Sequence, residues 1–280
     1  MNRKNVTILA AVVVAVLISA YAGGFFGGEE IHILSVRGST TVLPVAQIAA
    51  EKFMDLHSNV DIHMSGGGSS VGIQSVGEGT VDIGMASREL KDSEKTAYPD
   101  LNPIVIAKDG IALIIHPSNP VNSLTIEEIK WIYDGTYTNW SQLGGTDTKI
   151  VVIGRDSASG TREFFWKYVM KKGDSVNGML EKNSNGAVKQ TVSQTPGAVG
   201  YVGFGYIDEA VKALKIRVGT QEVEPTVVNV QGGLYPISRN LYFVVHYEPE
   251  GLEKDFIDFL LSDEGQRIVE EEGFIPLSGG

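Results

Sequence analysis

The chain has no cysteine. That rules out disulfides, thiolate chemistry, cysteine-based zinc sites and a lipidated cysteine. It also suits a life outside the cytoplasm, since nothing then depends on an oxidant. Histidine is scarce: five residues, scattered and without His-x-x-His spacing, give a metal-binding module little to stand on. Positive charge is in deficit, with 23 Lys and Arg against 34 Asp and Glu and a net charge of -11. No nucleic-acid partner is expected, because phosphate backbones demand a basic face. Internal repeats are missing, and the one low-complexity tract is the glycine-rich residues 23–28.

Long apolar runs are also few. The one that stands out covers about residues 6–22, uncharged, preceded by Arg3 and Lys4 and containing Ala20-Tyr21-Ala22, a small-x-small pattern. Residues 1–30 read as a secretory signal peptide or a membrane anchor followed by a flexible linker, near the lower length limit for spanning a bilayer. Either way the remainder is expected outside the cytoplasm, periplasmic or at the cell surface. If uncleaved, the segment ties the protein to the membrane.

What remains is long enough for one large or two medium domains. Apolar-rich strands and helical periods alternate: strands at 31–36, 60–64, 81–85, 104–107 and 111–116, helices at 42–57 and 71–76. This alternation argues for an α/β fold with parallel strands. After a break at Pro117-Ser118-Asn119-Pro120 come a helix at 126–133 capped by Thr125, a strand at 149–153, helices at 161–171 and 187–195, and strands at 198–204, 214–218 and 223–230. Past a second break at Gly232-Gly233, a strand at 241–246 and helices at 252–261 and 264–271 close the chain. The two breaks predict a discontinuous arrangement. Residues 31–115 and 235–280 form one lobe, and residues 116–234 the other, with a hinge between them.

Three separated segments set small hydroxyl residues and glycine before an expected helix start. They are Gly38-Ser39-Thr40-Thr41, Gly66-Gly67-Gly68-Ser69-Ser70 and Arg155-Asp156-Ser157-Ala158-Ser159-Gly160-Thr161. A first helical turn offers free N–H groups and the positive end of the macrodipole. Hydroxyls add donors, and glycine lets an anion approach the backbone. One such segment is only an N-cap; three, one carrying an arginine, point to a site that wraps a small oxyanion. The acidic surface does not oppose this, because its charge is screened within roughly 8–10 Å.

With these residues in view, the chain resembles the phosphate-binding, substrate-binding component of the high-affinity phosphate ABC importer family. The resemblance rests on Gly38-Ser39-Thr40-Thr41-Val42-Leu43-Pro44, Gly68-Ser69-Ser70-Val71-Gly72, residues 80–88 ending Met85-Ala86-Ser87-Arg88, and Arg155 to Glu163. Tyr235-Pro236-Ile237-Ser238-Arg239 resembles the family's return crossing between lobes. The resemblance implies a two-lobed, periplasmic-binding-protein-like fold of type II closing over one phosphate, no enzymatic activity, no cofactor and no metal. It implies membrane permease subunits of an ABC importer as partners. Residue by residue it implies phosphate contacts from Ser39, Thr40, Thr41, Ser69, Ser70, Ser87, Arg88, Arg155, Ser159, Gly160 and Thr161.

One departure stands out. Where well-known members carry an aspartate that accepts the proton of bound phosphate, this chain has Arg88. Asp156 and Asp82 are the nearest candidates for that role, or for positioning an arginine. Arg88 could instead be a surface side chain facing Glu89 or Asp92. Two other readings stay open. The same donor logic serves sulfate, molybdate or tungstate. Gly68-Ser69-Ser70-Val71-Gly72 also matches a nucleophile elbow, so a serine hydrolase using Ser70 would need His116 or His246.

Overall fold

The computed structural model describes residues 30–277. The expected signal or anchor segment lies outside them, apart from Glu30. The chain divides into two units, residues 1–32 and residues 33–280, and everything below concerns the second. No helix among the described residues is long and apolar enough to cross a membrane.

The chain opens with strand β1 (His32–Gly38), helix α1 (Leu43–Leu56), β2 (Val60–Ser65), α2 (Ser69–Gly77) and β3 (Ile83–Ala86). Pro44 sits in the first turn of α1, where its missing N–H costs nothing. The buried face Val45, Ala46, Ala49, Ala50 and Phe53 follows the helical period. A short polar helix α3 (Asp92–Ala97) precedes β4 (Leu101–Ile115), a single strand of 15 residues.

Next come β5 (Ser123–Leu124), α4 (Ile126–Tyr133), β6 (Val151–Arg155), α5 (Gly160–Tyr168), β7 (Leu180–Lys182), α6 (Asn185–Ser193) and β8 (Ala198–Gly203). Thr125 caps α4 as expected, in a reciprocal box with Glu128. Three small strands, β9 (Lys212–Ala213), β10 (Lys215–Val218) and β11 (Gln221–Val223), lead to α7 (Val227–Gln231). The chain closes with β12 (Ser238–His246), α8 (Gly251–Leu261) and α9 (Asp263–Glu271).

The main sheet runs β2-β1-β3-β12-β4-β8-β6-β7, with β9 beside β4. Its two flanks are parallel where helices intervene: β1 with β3, and β6 with both β8 and β7. Its centre is antiparallel, because β12 pairs with both β3 and β4, and β4 with β8. The expected parallel strands are therefore found at the flanks, and the centre is antiparallel. Two other expectations are corrected. The strands read at 104–107 and 111–116 are one strand, since the polar Lys108-Asp109-Gly110 between them stays in register opposite Ser238–Asn240 of β12. The valines of 223–230 do not form one strand. The Thr226 hydroxyl accepts the Asn229 N–H and starts α7.

Two large apolar clusters form along β4. Ile106 and Ala107 pack with Leu34, Phe53, Leu241 and Phe256. Residues 111–115 pack with Ile129, Trp140, Phe165, Val199 and Tyr235. A smaller third cluster gathers Ile73, Val76, Leu101 and Val244.

Candidate functional site

The hydroxyl segments lie where the chain leaves parallel strands. Ser39 follows β1, Ser87 follows β3, Ser69 and Ser70 open α2, and Arg155 ends β6 just before α5. This is the carboxyl edge of the strands, where α/β sheets place their ligands. The segments meet in space. The Ser70 N–H donates to the Ala158 carbonyl at 3.1 Å. The hydroxyls of Thr41 and Thr161 stand 3.1 Å apart. Two glycines allow this approach. Gly68 has φ +96°, and a Cβ there would meet the Ala158 carbonyl oxygen at 2.6 Å; a Cβ on Gly160 would meet Ser69 Oγ at 2.2 Å.

Ser39, Thr40, Thr41, Ser69, Ser87, Arg155, Ser159 and Thr161 are all buried, an unusual concentration of polar groups. Ser69 Oγ accepts the Ser87 N–H at 3.0 Å. Ser159 caps α5 by accepting the Arg162 N–H at 3.2 Å, so its proton remains to be donated. Gly160 and Thr161 open α5, and their N–H groups are among those no carbonyl of the helix can satisfy. The first segment is not an N-cap, because α1 begins only at Leu43 and Val42 makes no capping bond. Ser39 Oγ instead accepts the Thr41 N–H at 3.2 Å, which shapes the turn.

Three buried arginines surround these groups, and their electrostatics differ. Arg155 is 1% exposed; Nε and Nη2 donate to the carbonyls of Lys182 and Asn183 at 3.1 and 3.2 Å, and no carboxylate among the described residues pairs with it. Burial holds its pKa below the ordinary value, while the neighbouring Asp156 acts against that at longer range. Arg88 is 5% exposed, not a surface residue, and both its Nη atoms bind the Glu94 carboxylate at 2.6 and 2.7 Å. It touches Glu89 only at the carbonyl, and its Nη2 donates to Ser70 Oγ at 3.0 Å. Arg239 is 6% exposed and pairs with Asp109 at 2.8 and 3.1 Å. Burial pushes Asp109 up and Arg239 down, each towards neutrality, and their mutual attraction opposes it.

Of the two candidate carboxylates, the structure separates one from the site. Asp82 is exposed and bound by the N–H and hydroxyl of Ser35 at 2.7 and 2.6 Å, which clips β3 to β1. Asp156 sits at the site, and its Oδ1 is buried without a hydrogen-bond partner. The Ser70 hydroxyl faces an arginine. His116 bonds Ser118 and His246 is exposed, so neither partners Ser70.

Sequence reasoning missed four residues here. Asn185 Nδ2 donates to the Thr40 and Thr41 hydroxyls at 3.2 and 3.0 Å. Arg239 Nη2 donates to those of Thr41 and Thr161 at 3.2 and 3.0 Å. Asp109 holds that arginine. Tyr206, its phenol pushed up to about 12 by burial, donates to the Thr40 carbonyl. The signals available were the Arg239 of the return crossing and a charged Asp109 between two apolar runs. A cleft of about 600 Å³, lined by Arg88, Lys91, Lys108, Phe164, Tyr168 and Arg239 among others, adjoins this network.

A model of the PBP superfamily domain matches residues 27–264. The phosphate-binding protein PstS of Bacillus subtilis is 35% identical over 99% of this chain and 95% of its own length. That of Pseudomonas aeruginosa is 33% identical over 87% and 83%. A crystal structure of a candidate phosphate ABC transporter substrate-binding protein from Clostridium perfringens, with phosphate bound, is similar with a TM-score of 0.82. It is 41% identical and covers 88% of this chain and 100% of that one. An ABC-type phosphate transport receptor from Vibrio cholerae is similar at TM-score 0.69 and 34% identity, over 88% and 100%. With the hydroxyl segments gathered around a buried arginine on a periplasmic-binding-protein-like α/β fold, this chain belongs to the PstS family of phosphate-binding proteins within the PBP superfamily.

Proposed function

We propose that this protein binds inorganic phosphate outside the cytoplasm and delivers it to the membrane permease of an ABC importer, as a binding protein and not an enzyme. The observation that carries the reading is Arg155: a buried guanidinium with no carboxylate partner among the described residues, ending β6 in front of the N-terminus of α5. An isolated buried charge is costly. An anion at the helix N-terminus, wrapped by the hydroxyls of the three segments, removes that cost.

The ligand groups are Ser39, Thr40, Thr41, Ser69, Ser70, Ser159, Gly160, Thr161 and Arg155. Ser87 and Arg88 act behind Ser69 and Ser70. Asp156, with its unpartnered buried oxygen, is the acceptor for the proton of hydrogen phosphate. The chain crosses between residues 31–115 with 235–280 and residues 116–234 twice, and the pair of crossings serves as the hinge of closure. Residues 1–30 act as signal or anchor.

Calorimetric titration of the purified protein with phosphate, sulfate, molybdate and tungstate tests this. One-to-one binding of phosphate without turnover is expected. Heat with molybdate and none with phosphate would overturn the reading. Asp156→Asn should narrow the phosphate-to-sulfate affinity ratio about tenfold, about 1.4 kcal/mol; an unchanged ratio removes Asp156 from the role. Small-angle scattering should show a more compact particle with phosphate, and an unchanged radius would argue for a rigid pocket.

A further inference from the structure

The cleft beside the site differs in charge from the rest of the molecule. The chain carries 34 Asp and Glu against 23 Lys and Arg. The cleft of about 600 Å³ reverses that ratio, with seven Lys or Arg side chains in its lining and three Asp or Glu. Glu94 and Asp109 pair with two of its arginines, and a positive excess remains after both are counted. Two other cavities keep the sign of the whole chain. One of about 790 Å³ has Asp134, Asp174 and Glu181 against Arg162. One of about 350 Å³ has Asp82 and Glu253 with no Lys or Arg. The excess in the first cleft belongs to Lys108, Lys167 and Lys172. All three are exposed, and none forms an ion pair among the described residues.

The basic cleft shares its inner wall with the site. Arg88 and Arg239 line it, and the same guanidinium groups reach the site hydroxyls: Arg88 Nη2 lies 3.0 Å from Ser70 Oγ, and Arg239 Nη2 lies 3.2 and 3.0 Å from those of Thr41 and Thr161. Helix α5 serves both places. Gly160 and Thr161 open it at the site, and Glu163, Phe164, Lys167 and Tyr168 further along line the cleft. Resting on the phosphate-binding reading above, we infer that this cleft is the entrance by which the anion reaches the buried groups, and that Lys108, Lys167 and Lys172 draw it in. They do not hold it. Exposed ammonium groups on flexible stems fix no geometry, and a cavity of this volume suits a far larger ligand than one ion. What they supply is a local potential. A cleft lined by one sign of charge concentrates an oppositely charged ligand and raises its rate of arrival by roughly 10–10³. The buried hydroxyls and Arg155 then set how long the anion stays. A chain of net charge -11 repels an anion within a Debye length of its surface, and the cleft reverses that repulsion at the one place where it matters.

The test separates arrival from residence. Radiolabelled phosphate is chased from the whole protein with an unlabelled excess to give the dissociation rate constant. Equilibrium dialysis gives Kd, and the association rate constant follows from the two. At low salt, a variant carrying Lys108→Gln, Lys167→Gln and Lys172→Gln should associate about tenfold more slowly and dissociate within about twofold of the wild type. The difference should shrink as salt is raised, because steering is screened. Lys52→Gln, Lys149→Gln and Lys254→Gln together remove the same charge from exposed positions that do not line the cleft. They should change association by less than about twofold. Equal slowing in both variants would assign the effect to the field of the whole chain and overturn the inference. Unchanged association in the cleft variant would place the entrance elsewhere. Faster dissociation that persists at high salt would make these lysines ligands. Failure of the wild type to retain any phosphate would instead overturn the phosphate reading, and this inference with it.

Discussion

Arg88 and Arg155 are both almost wholly buried, and each adjoins a hydroxyl segment in sequence, yet they are answered differently. Arg88 faces the Glu94 carboxylate through both Nη atoms, so its surroundings are electrically balanced and its remaining contact pins Ser70. Arg155 is held by two carbonyls, which orient it without neutralising it. The residue type does not decide whether an arginine is a ligand; what stands opposite it does. The difference also explains how the chain carries an arginine where well-known relatives have an aspartate. Glu94, six positions on, supplies the negative charge that balances this arginine.

The contrast can be broken from either side. Arg88→Ala strands Glu94, whose side chain is 16% exposed, and should cost about 3–5 kcal/mol of stability, measured by denaturant unfolding. Its loss in phosphate affinity should be the smaller effect. Arg155→Ala should reverse the pattern. Affinity falls by about 2–5 kcal/mol in calorimetry, while the ligand-free protein unfolds no more easily than wild type. Equal, large affinity losses for both would show that Arg88 touches the ligand.

Glu253 sharpens the comparison from the acidic side, as a half-buried carboxylate with no cation partner among the described residues. Burial, with a smaller contribution from Asp82, pushes its pKa up to about 7 from 4.5. The folded state then holds a proton that the unfolded state releases between those values. Stability is therefore fully present below about pH 4.5 and lost as pH rises to about 7. Discounted for its half-exposed position, the gain from pH 7.5 to pH 5 should be about 1 kcal/mol. Glu253→Gln should abolish that gain in a pH series of thermal unfolding. The smallest effect belongs to the pair Lys91 and Glu163 at 3.1 Å, on segments either side of the cleft and each about one-third exposed. Lys91→Ala should weaken phosphate binding by about 0.2–1 kcal/mol, and less at high salt.

How much of this was legible in the sequence follows the range of each interaction. The hydroxyl segments and most helices were readable because their signals are local: a glycine, a hydroxyl run, an apolar period. Glu94 was not, since α3 is Asp-Ser-Glu-Lys-Thr-Ala and has no apolar face to mark it. β4 was divided in two because Lys108-Asp109-Gly110 interrupts its apolar run, and what makes a buried Asp109 tolerable there is distant in sequence: Arg239, 130 positions away, and the Phe204 N–H. Residues 223–230 misled because valine favours strands, whereas Thr226 and Pro225 set a helix start. The antiparallel centre of the sheet escaped because it depends on where β12 inserts, a long-range choice the alternation of elements does not encode.

That insertion has a consequence in time. The cluster around Ile129, Trp140 and Phe165 is assembled almost entirely from residues 111–237, so it can consolidate while the rest of the chain is still being made. The cluster around Leu34 and Phe53 cannot. Leu241, Phe243, Phe256, Leu260 and Phe274 supply much of it, and they are the last to emerge from the ribosome. Its contacts are among the most distant in sequence, the kind that form slowly. Residues 34–62 are thus among the last to be packed, because the core they share is completed only when β12 and the helices after it arrive.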